Sequence, residues 1–286
     1  MTDILIALIP AVMWGSILLV SAKLGGSPYS QTLGLTIGAL LFSIGAYFIV
    51  QPELSTKAVI VSFISGVFWT LGQKNQFSAA DQLGVSKALP ISTGMQLLGT
   101  SLFGVFVFGE WSTRTQLMIG IAALICIIIG VLFTSLKDKD EKGEEGKKSF
   151  TKGMIILLVS TVGYVAYVVI IRWFEIDGWT AILPQSVGMI VGAIILTIRH
   201  KPFDKYAIRN TITGFVWATG NIGLLLAVPR VGVATSFSFS QMGIIISTLG
   251  GIFLLGEKKS KRQIVFVIIG CLLIIAGGVL LGFTKK

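Results

Sequence analysis

Ten stretches of about 20 residues, each nearly free of charge, dominate this chain, and each is long enough to cross the roughly 30 Å hydrocarbon layer of a bilayer. They run approximately over 4–22, 31–50, 58–80, 85–108, 116–136, 153–173, 179–198, 210–229, 233–255 and 264–283. Helices in lipid satisfy their own backbone hydrogen bonds, so apolar runs of this length are stable there as spans. Charged residues make up only 13% of the 286, far below the share of about 25% that wets a soluble domain. The expected fold class is an all-α integral membrane protein with ten transmembrane helices. The first run lacks a basic leader region and a clear cleavage site, so it reads as a span and not as a signal peptide.

The 36 Asp, Glu, Lys and Arg are unevenly spread, and eleven of them fall in Lys137–Lys152, "KDKDEKGEEGKKSFTK". Alternating charge interleaved with glycine marks a solvated linker. It divides the chain into residues 1–136, the linker 137–152, and residues 153–286. A net charge of +10 would suit nucleic acid if the basic residues shared one exposed face. Here they sit between apolar runs, so the expected surroundings are membrane lipid and no nucleic acid. Threading the spans puts 17 of the 23 Lys and Arg on the linker's side and 6 on the other. The basic side faces the cytoplasm, which places both termini outside the cell membrane. Cys126 and Cys271 lie within apolar runs and read as small buried hydrophobes. The one histidine, His200, sits in a loop. With so little ligating or nucleophilic material, no metal, cofactor or enzymatic centre is expected. No G-x-x-x-x-G-K-[ST] segment points to a nucleotide-driven pump.

The two halves repeat each other. "QTLGLTIGALL" (31–41) aligns with "QSVGMIVGAII" (185–195), matching Gln31/Gln185, Gly34/Gly188, Gly38/Gly192 and Ala39/Ala193. "GVFWTLGQ" (66–73) aligns with "GFVWATGN" (214–221), pairing Trp69 with Trp217. Gly84-Val85 aligns with Gly232-Val233, and Gly104, Gly109 and Glu110 align with Gly251, Gly256 and Glu257. Each copy has five spans, an odd number, so the second enters the membrane from the opposite side. Two inverted five-helix repeats are expected, a plan found in many secondary transporters. Gly34-x-x-x-Gly38 and Gly188-x-x-x-Gly192 are small-residue faces for close helix contact.

Pro10-x-x-x-Trp14-Gly15 in span 1, Pro90 in span 4, and Gly-Glu closing spans 4 and 9 resemble the drug/metabolite transporter superfamily. With "GQKNQF" (72–77) and the charged central linker, the whole chain is similar to that superfamily's glucose/ribose porter family. The resemblance implies a 5+5 inverted fold with a central cavity lined by spans 1–4 and 6–9. It also implies uptake of a monosaccharide, glucose first, by proton symport with alternating access. Ribose or another sugar, or an exporter of drugs or metabolites on the same fold, are the alternatives. A homodimer is compatible with such a chain.

Sugar recognition needs hydrogen bonds in several directions and flat apolar faces for ring C–H groups. Amides and hydroxyls supply the first, and Trp and Tyr the second. The spans contain that mixture. Trp14, Trp69, Gln73, Gln76, Gln96, Tyr164, Trp217, Asn221 and Gln241 are the candidate substrate-binding residues. An amide in hydrocarbon is costly unless paired, so each should face protein or a watery cavity, and interhelical packing alone would also account for any one of them. Gln73 and Asn221 stand out because they occupy matching positions one turn beyond Trp69 and Trp217. Lys74 lies near the cytoplasmic end of span 3, within snorkelling reach of water. Glu110 and Glu257 end equivalent spans on opposite faces, which suits gating residues and excludes a carboxylate pair. No acid lies near a span midpoint, where a proton carrier is usual. Asp81 and Glu110 are the nearest candidates for coupling.

Overall fold

The computed structural model describes residues 2–136, 144–232, 236 and 239–284. Among them are ten α-helices and no strand. The first five are α1 (Thr2–Leu24), α2 (Pro28–Val50), α3 (Thr56–Leu83), α4 (Val85–Phe108) and α5 (Arg114–Ser135). The second five are α6 (Glu144–Trp173), α7 (Gly178–Thr197), α8 (Lys205–Val231), α9 (Gly243–Phe253) and α10 (Lys261–Gly282). Polar residues in the short connections start the helices by satisfying orphan N–H groups. Ser27, Ser55, Asp177 and Asp204 cap α2, α3, α7 and α8. Thr113 with Gln116, and Ser260 with Gln263, form reciprocal capping boxes on α5 and α10, the fifth helix of each half.

Eight of the ten are long and apolar enough to cross a membrane. Large apolar side chains cover their outer faces: Phe106 is 80% exposed and Ile49 85% exposed. A water-soluble monomer does not leave apolar surface uncovered on this scale. The chain is a multi-pass, all-α membrane protein.

α3 starts and ends within three residues of the expected 58–80, but it is not among the eight, because its second half carries Gln73, Lys74, Asn75, Gln76 and Ser78. Protein, not lipid, surrounds much of that half, and Gln73, Asn75 and Gln76 are buried. The ninth span, expected as one run over 233–255, contains a turn at Met242, where i→i+3 bonds join Met242 N to Phe239 O and Ile245 N to Met242 O, each at 3.0 Å. The linker is shorter than its charge pattern suggests, since α6 begins at Glu144. Residues 137–143 lie outside the described residues.

The main helix contacts are preserved when the two halves are exchanged. α1 packs on α8 and α6 on α3; α2 packs on α8 and α7 on α3; α1 packs on α9 and α6 on α4. The pairs α2–α7, α4–α9 and α5–α10 exchange with themselves. Glycine allows the closest of these approaches. A Cβ on Gly34 or Gly38 would strike the carbonyl oxygens of Ala207 and Thr211 in α8, and one on Gly188 would strike that of Phe63 in α3.

Helix direction alternates, so the connections fall on two faces. On the linker face, Tyr29 stacks on His200 with ring centroids 3.7 Å apart, and Ser149 donates to Gln82 O at 3.0 Å. On the face carrying the termini, Arg230 lies 3.7 Å from Asp3, and Gln116 donates to Thr284 O at 3.2 Å.

Candidate functional site

A cavity of about 430 Å³ lies between the halves, within the usual range for a small-molecule site. All nine candidate substrate-binding residues line it. α1 contributes Trp14 and Ile17, α3 contributes Trp69, Gln73 and Gln76, and α4 runs along it from Leu89 to Phe108. α6 supplies Tyr164 and Tyr167, α8 supplies Trp217 and Asn221, and Ser240 and Gln241 come from just before the Met242 turn. Met242 keeps helical dihedrals (φ −63°, ψ −17°), so the turn there tightens the helix beside the cavity and does not interrupt it. Towards the linker face the lining includes Ile17, Gln76 and Leu89. Towards the terminus face the lining continues to Phe108, Glu110, Trp111 and Arg172.

The polar groups form a connected, uncharged arc. The Tyr164 hydroxyl approaches Gln73 Oε1 at 2.8 Å and Gln76 Oε1 at 3.2 Å, sharing its one proton between them. Gln76 and Gln96 each donate to Ser92 Oγ, at 2.9 and 3.0 Å. Burial makes these bonds necessary, because an unpaired amide there would cost about 1–3 kcal/mol. Asn221, the repeat partner of Gln73, makes no side-chain hydrogen bond among the described residues, and its amide is available to a ligand. Adjoining the arc is an aromatic cluster: Trp69 and Trp217 pack with centroids 5.0 Å apart, and Trp69 meets Tyr164 edge-on at 6.2 Å. The Trp14 indole N–H donates to Trp217 O at 3.3 Å, which ties α1 to α8. The tryptophans at 69 and 217 are each only 3% exposed, so much of their surface packs against protein, while Trp14 is half-buried.

Charge is confined to the ends. Glu110 is the one carboxylate lining the cavity among the described residues, and it is ion-paired with Arg172. Glu257 lies at the linker face, outside the cavity. Its Oε1 accepts from Val85 N–H at 2.5 Å, both of its oxygens lie 3.3 Å from Ser86 N, and Ser86 Oγ donates to it as well. Lys259 Nζ stands 4.0 Å away. The two remaining candidates are not in the cavity. Asp81 is exposed at the linker end of α3. Lys74 is half-buried, donating to Asn75 Oδ1 at 3.4 Å and lying 5.4 Å over the Tyr29 ring.

Sequence reasoning did not single out Arg172, Trp111, Thr100 or Ser86. Arg172 is visible in the sequence only as one more charge at a span end, and its pairing with Glu110 depends on α6 packing against α4. For Ser86 there was a signal: α4 follows Gly84, which offers no side-chain cap. The N–H groups of the first turn therefore need an acceptor from elsewhere.

An all-α bundle enclosing a cavity lined by amides, hydroxyls and aromatic rings defines a multi-pass membrane protein with a candidate small-molecule site. The chain belongs to the sugar transport protein family, whose model matches residues 5–284. It is 60% identical over 283 residues to the glucose uptake protein GlcU of Bacillus subtilis (strain 168), covering 99% of each chain. It is 59% identical over 285 residues to a protein of Priestia megaterium named "Probable glucose uptake protein GlcU", covering 99% of this chain and all of the other. A solved crystal structure shares the fold with a TM-score of 0.62 at 17% identity, over 100% of this chain and 98% of that one.

Proposed function

We propose that the protein imports a monosaccharide, glucose first, by alternating access between two inverted five-helix repeats. The observation that carries this reading is the cavity, whose polar lining is amide and hydroxyl except at one end. Neutral amides donate and accept at once, as ring hydroxyls require, and a cationic substrate would find no acid beyond Glu110. Membership of the sugar transport family and the names of the relatives support the same substrate class. Exchange symmetry in the helix contacts supports the inverted plan, with ten spans crossing in alternate directions. In that plan the linker is cytoplasmic and both termini are extracellular, following the distribution of Lys and Arg.

The coupling we propose is proton symport, with Glu110 as the proton-carrying group. Glu110 is the carboxylate the cavity offers, at the terminus-face end of the lining rather than at a span midpoint, and a carboxylate facing the transport pathway can bind and release a proton. Uptake of labelled glucose into proteoliposomes, with and without an inward proton gradient, tests both parts. Saturable uptake stimulated by the gradient, and competed by glucose more strongly than by ribose, is expected. Saturable uptake that ignores the gradient removes proton coupling and leaves sugar transport standing. No saturable uptake of any monosaccharide refutes the function.

A further inference from the structure

The connection between α7 and α8 gathers charge of one sign at the linker face. Arg199, Lys201, Lys205 and Arg209 fall within residues 199–209, and Lys23 lies in the last turn of α1. All five are exposed, and none is in an ion pair among the described residues. Asp204 is the one carboxylate in that stretch, and its oxygens are already engaged. Oδ1 accepts from the N–H groups of Tyr206 and Ala207, each at 2.9 Å, and Oδ2 from the Ser30 hydroxyl at 2.8 Å.

These cations belong to a built rim. Lys23 precedes the Gly25–Gly26 turn, and that turn closes on α8. Asn210 donates to Gly25 O at 3.0 Å, and Tyr206 fills the space a Cβ on Gly26 would need. Lys205 Nζ and Arg209 Cζ lie 5.2 and 5.6 Å from the centre of the Tyr206 ring, close enough for the ring to hold both. His200, between Arg199 and Lys201, is stacked on Tyr29. The rim therefore joins the α1–α2 turn to the α7–α8 connection. None of its cations lines the cavity.

The apolar neighbours fix its depth. Lys205, Ile208, Ile212 and Phe215 share one face of α8, at spacings of three, four and three. The three apolar members are exposed, Ile208 to 76%. Beyond the end of α7, Arg199 follows exposed Ile195 and Ile198. Both helices are long and apolar enough to cross a membrane, so their uncovered apolar stripes face hydrocarbon. The cations that end those stripes stand at the level of the headgroups, with Tyr206 as an interfacial ring. Phe203 is exposed among them. A phospholipid presents phosphate and hydrocarbon together and satisfies both kinds of side chain; a water-borne anion satisfies the charge alone.

We propose that this rim binds the phosphate headgroup of anionic phospholipids. Arg199 and Arg209 offer guanidinium forks that match phosphate oxygens, while Lys201 and Lys205 act as point charges. Lys23 adds to the field from the α1 side. A lipid bound here braces the α1–α2 turn against the α7–α8 connection.

The full chain, purified in detergent, is titrated with phosphatidylglycerol and with phosphatidylcholine of the same acyl chains, and bound lipid is counted by native mass spectrometry. Phosphatidylglycerol is expected to bind the more tightly. Each basic residue beside an anionic headgroup layer strengthens attachment about fivefold. Lys205→Gln with Arg209→Gln should therefore weaken phosphatidylglycerol binding about 25-fold. Lys57→Gln with Arg114→Gln, at exposed positions of the terminus face, removes the same charge and should leave binding nearly unchanged. Arg199→Gln with Lys201→Gln is a second rim pair, expected to act as the first does, and unfolding midpoints without lipid check that all three are folded. Equal binding of the two lipids, or an equal loss in the terminus-face pair, overturns the proposal. Displacement of the lipid by inorganic phosphate or poly-glutamate at equal charge concentration assigns the rim to a water-borne anion and overturns it too.

Discussion

Removing one hydroxyl from the amide arc separates binding from folding most sharply. Tyr164 is buried, and its hydroxyl holds the side-chain oxygens of Gln73 and Gln76 at 2.8 and 3.2 Å. Tyr164→Phe keeps the ring and its edge-on contact with Trp69, so the aromatic cluster is preserved. What is lost is one shared hydrogen bond, worth about 1 kcal/mol net. A carbonyl left unpaired in a dry site would raise that cost to as much as about 3 kcal/mol, but cavity water can reach these oxygens and keeps the loss near the lower end. About 1 kcal/mol is roughly a fivefold change in affinity. The expected result is a KM for glucose raised about fivefold, with the maximal rate and the amount of folded protein little changed, as the loss falls on uniform binding. Initial rates in proteoliposomes, normalised to protein recovered from size exclusion, give both numbers. Tyr167→Phe is the control, since Tyr167 lines the cavity without joining the amide arc among the described residues. Tyr164→Phe with an unchanged KM, or an equal loss in Tyr167→Phe, refutes the reasoning that the arc orients amides for the sugar.

Other variants test other parts of the account. Gln73→Ala, Asn221→Ala and Trp14→Ala should each raise KM while expression persists, and normal uptake in all three would leave those residues a packing role only. Gly188→Ala drives a methyl group against the Phe63 carbonyl, an overpacking that costs about 1–3 kcal/mol; a thermal unfolding scan in detergent should show a lower midpoint, and an unchanged one would contradict the α3–α7 packing. Asp204, at the linker face, supplies a pH test. Its small burial acts to raise the carboxyl, but the Ala207 N–H, the Ser30 hydroxyl, the Tyr206 N–H and the charge of Lys205 outweigh it and hold the group below its ordinary 3.8. A depressed carboxyl stabilises the fold above its unfolded value and loses that contribution as pH falls through the folded one. Asp204→Asn should therefore lower the unfolding midpoint at neutral pH and make progressively less difference below pH 3.8; an equal deficit at both would contradict the assignment.

Much of the bundle can be read in the sequence, because lipid demands apolar runs of fixed length and turn residues mark their ends. α5 and α10 begin within two or three residues of the expected positions for that reason. α3 was legible as well, ending three residues beyond the expected 80, although its amide-rich second half makes it too polar to count as a span by hydropathy alone. The tight turn at Met242 was not readable, since Ser240, Gln241 and Gly243 around it are tolerated within a helix and no proline marks it. Candidate cavity residues could be chosen because an amide within an apolar run must face something polar, and repeat matching raised Gln73 and Asn221 above the rest. Pairings between distant helices were not readable. Glu110 with Arg172, and Glu257 with Ser86, depend on which helix ends the bundle brings together, and the identical Gly-Glu motifs gave no hint that one would meet a helix N-terminus and the other an arginine.

The central claim is that this cavity binds glucose and carries it between two faces, and counterflow tests it most directly. Proteoliposomes preloaded with unlabelled glucose and diluted into a trace of labelled glucose need no ion gradient, so the result does not depend on the coupling ion. The account predicts transient accumulation of label above equilibrium, abolished by excess external glucose and shifted to higher concentration in Gln73→Ala. Folded protein that shows no accumulation above empty liposomes would contradict it.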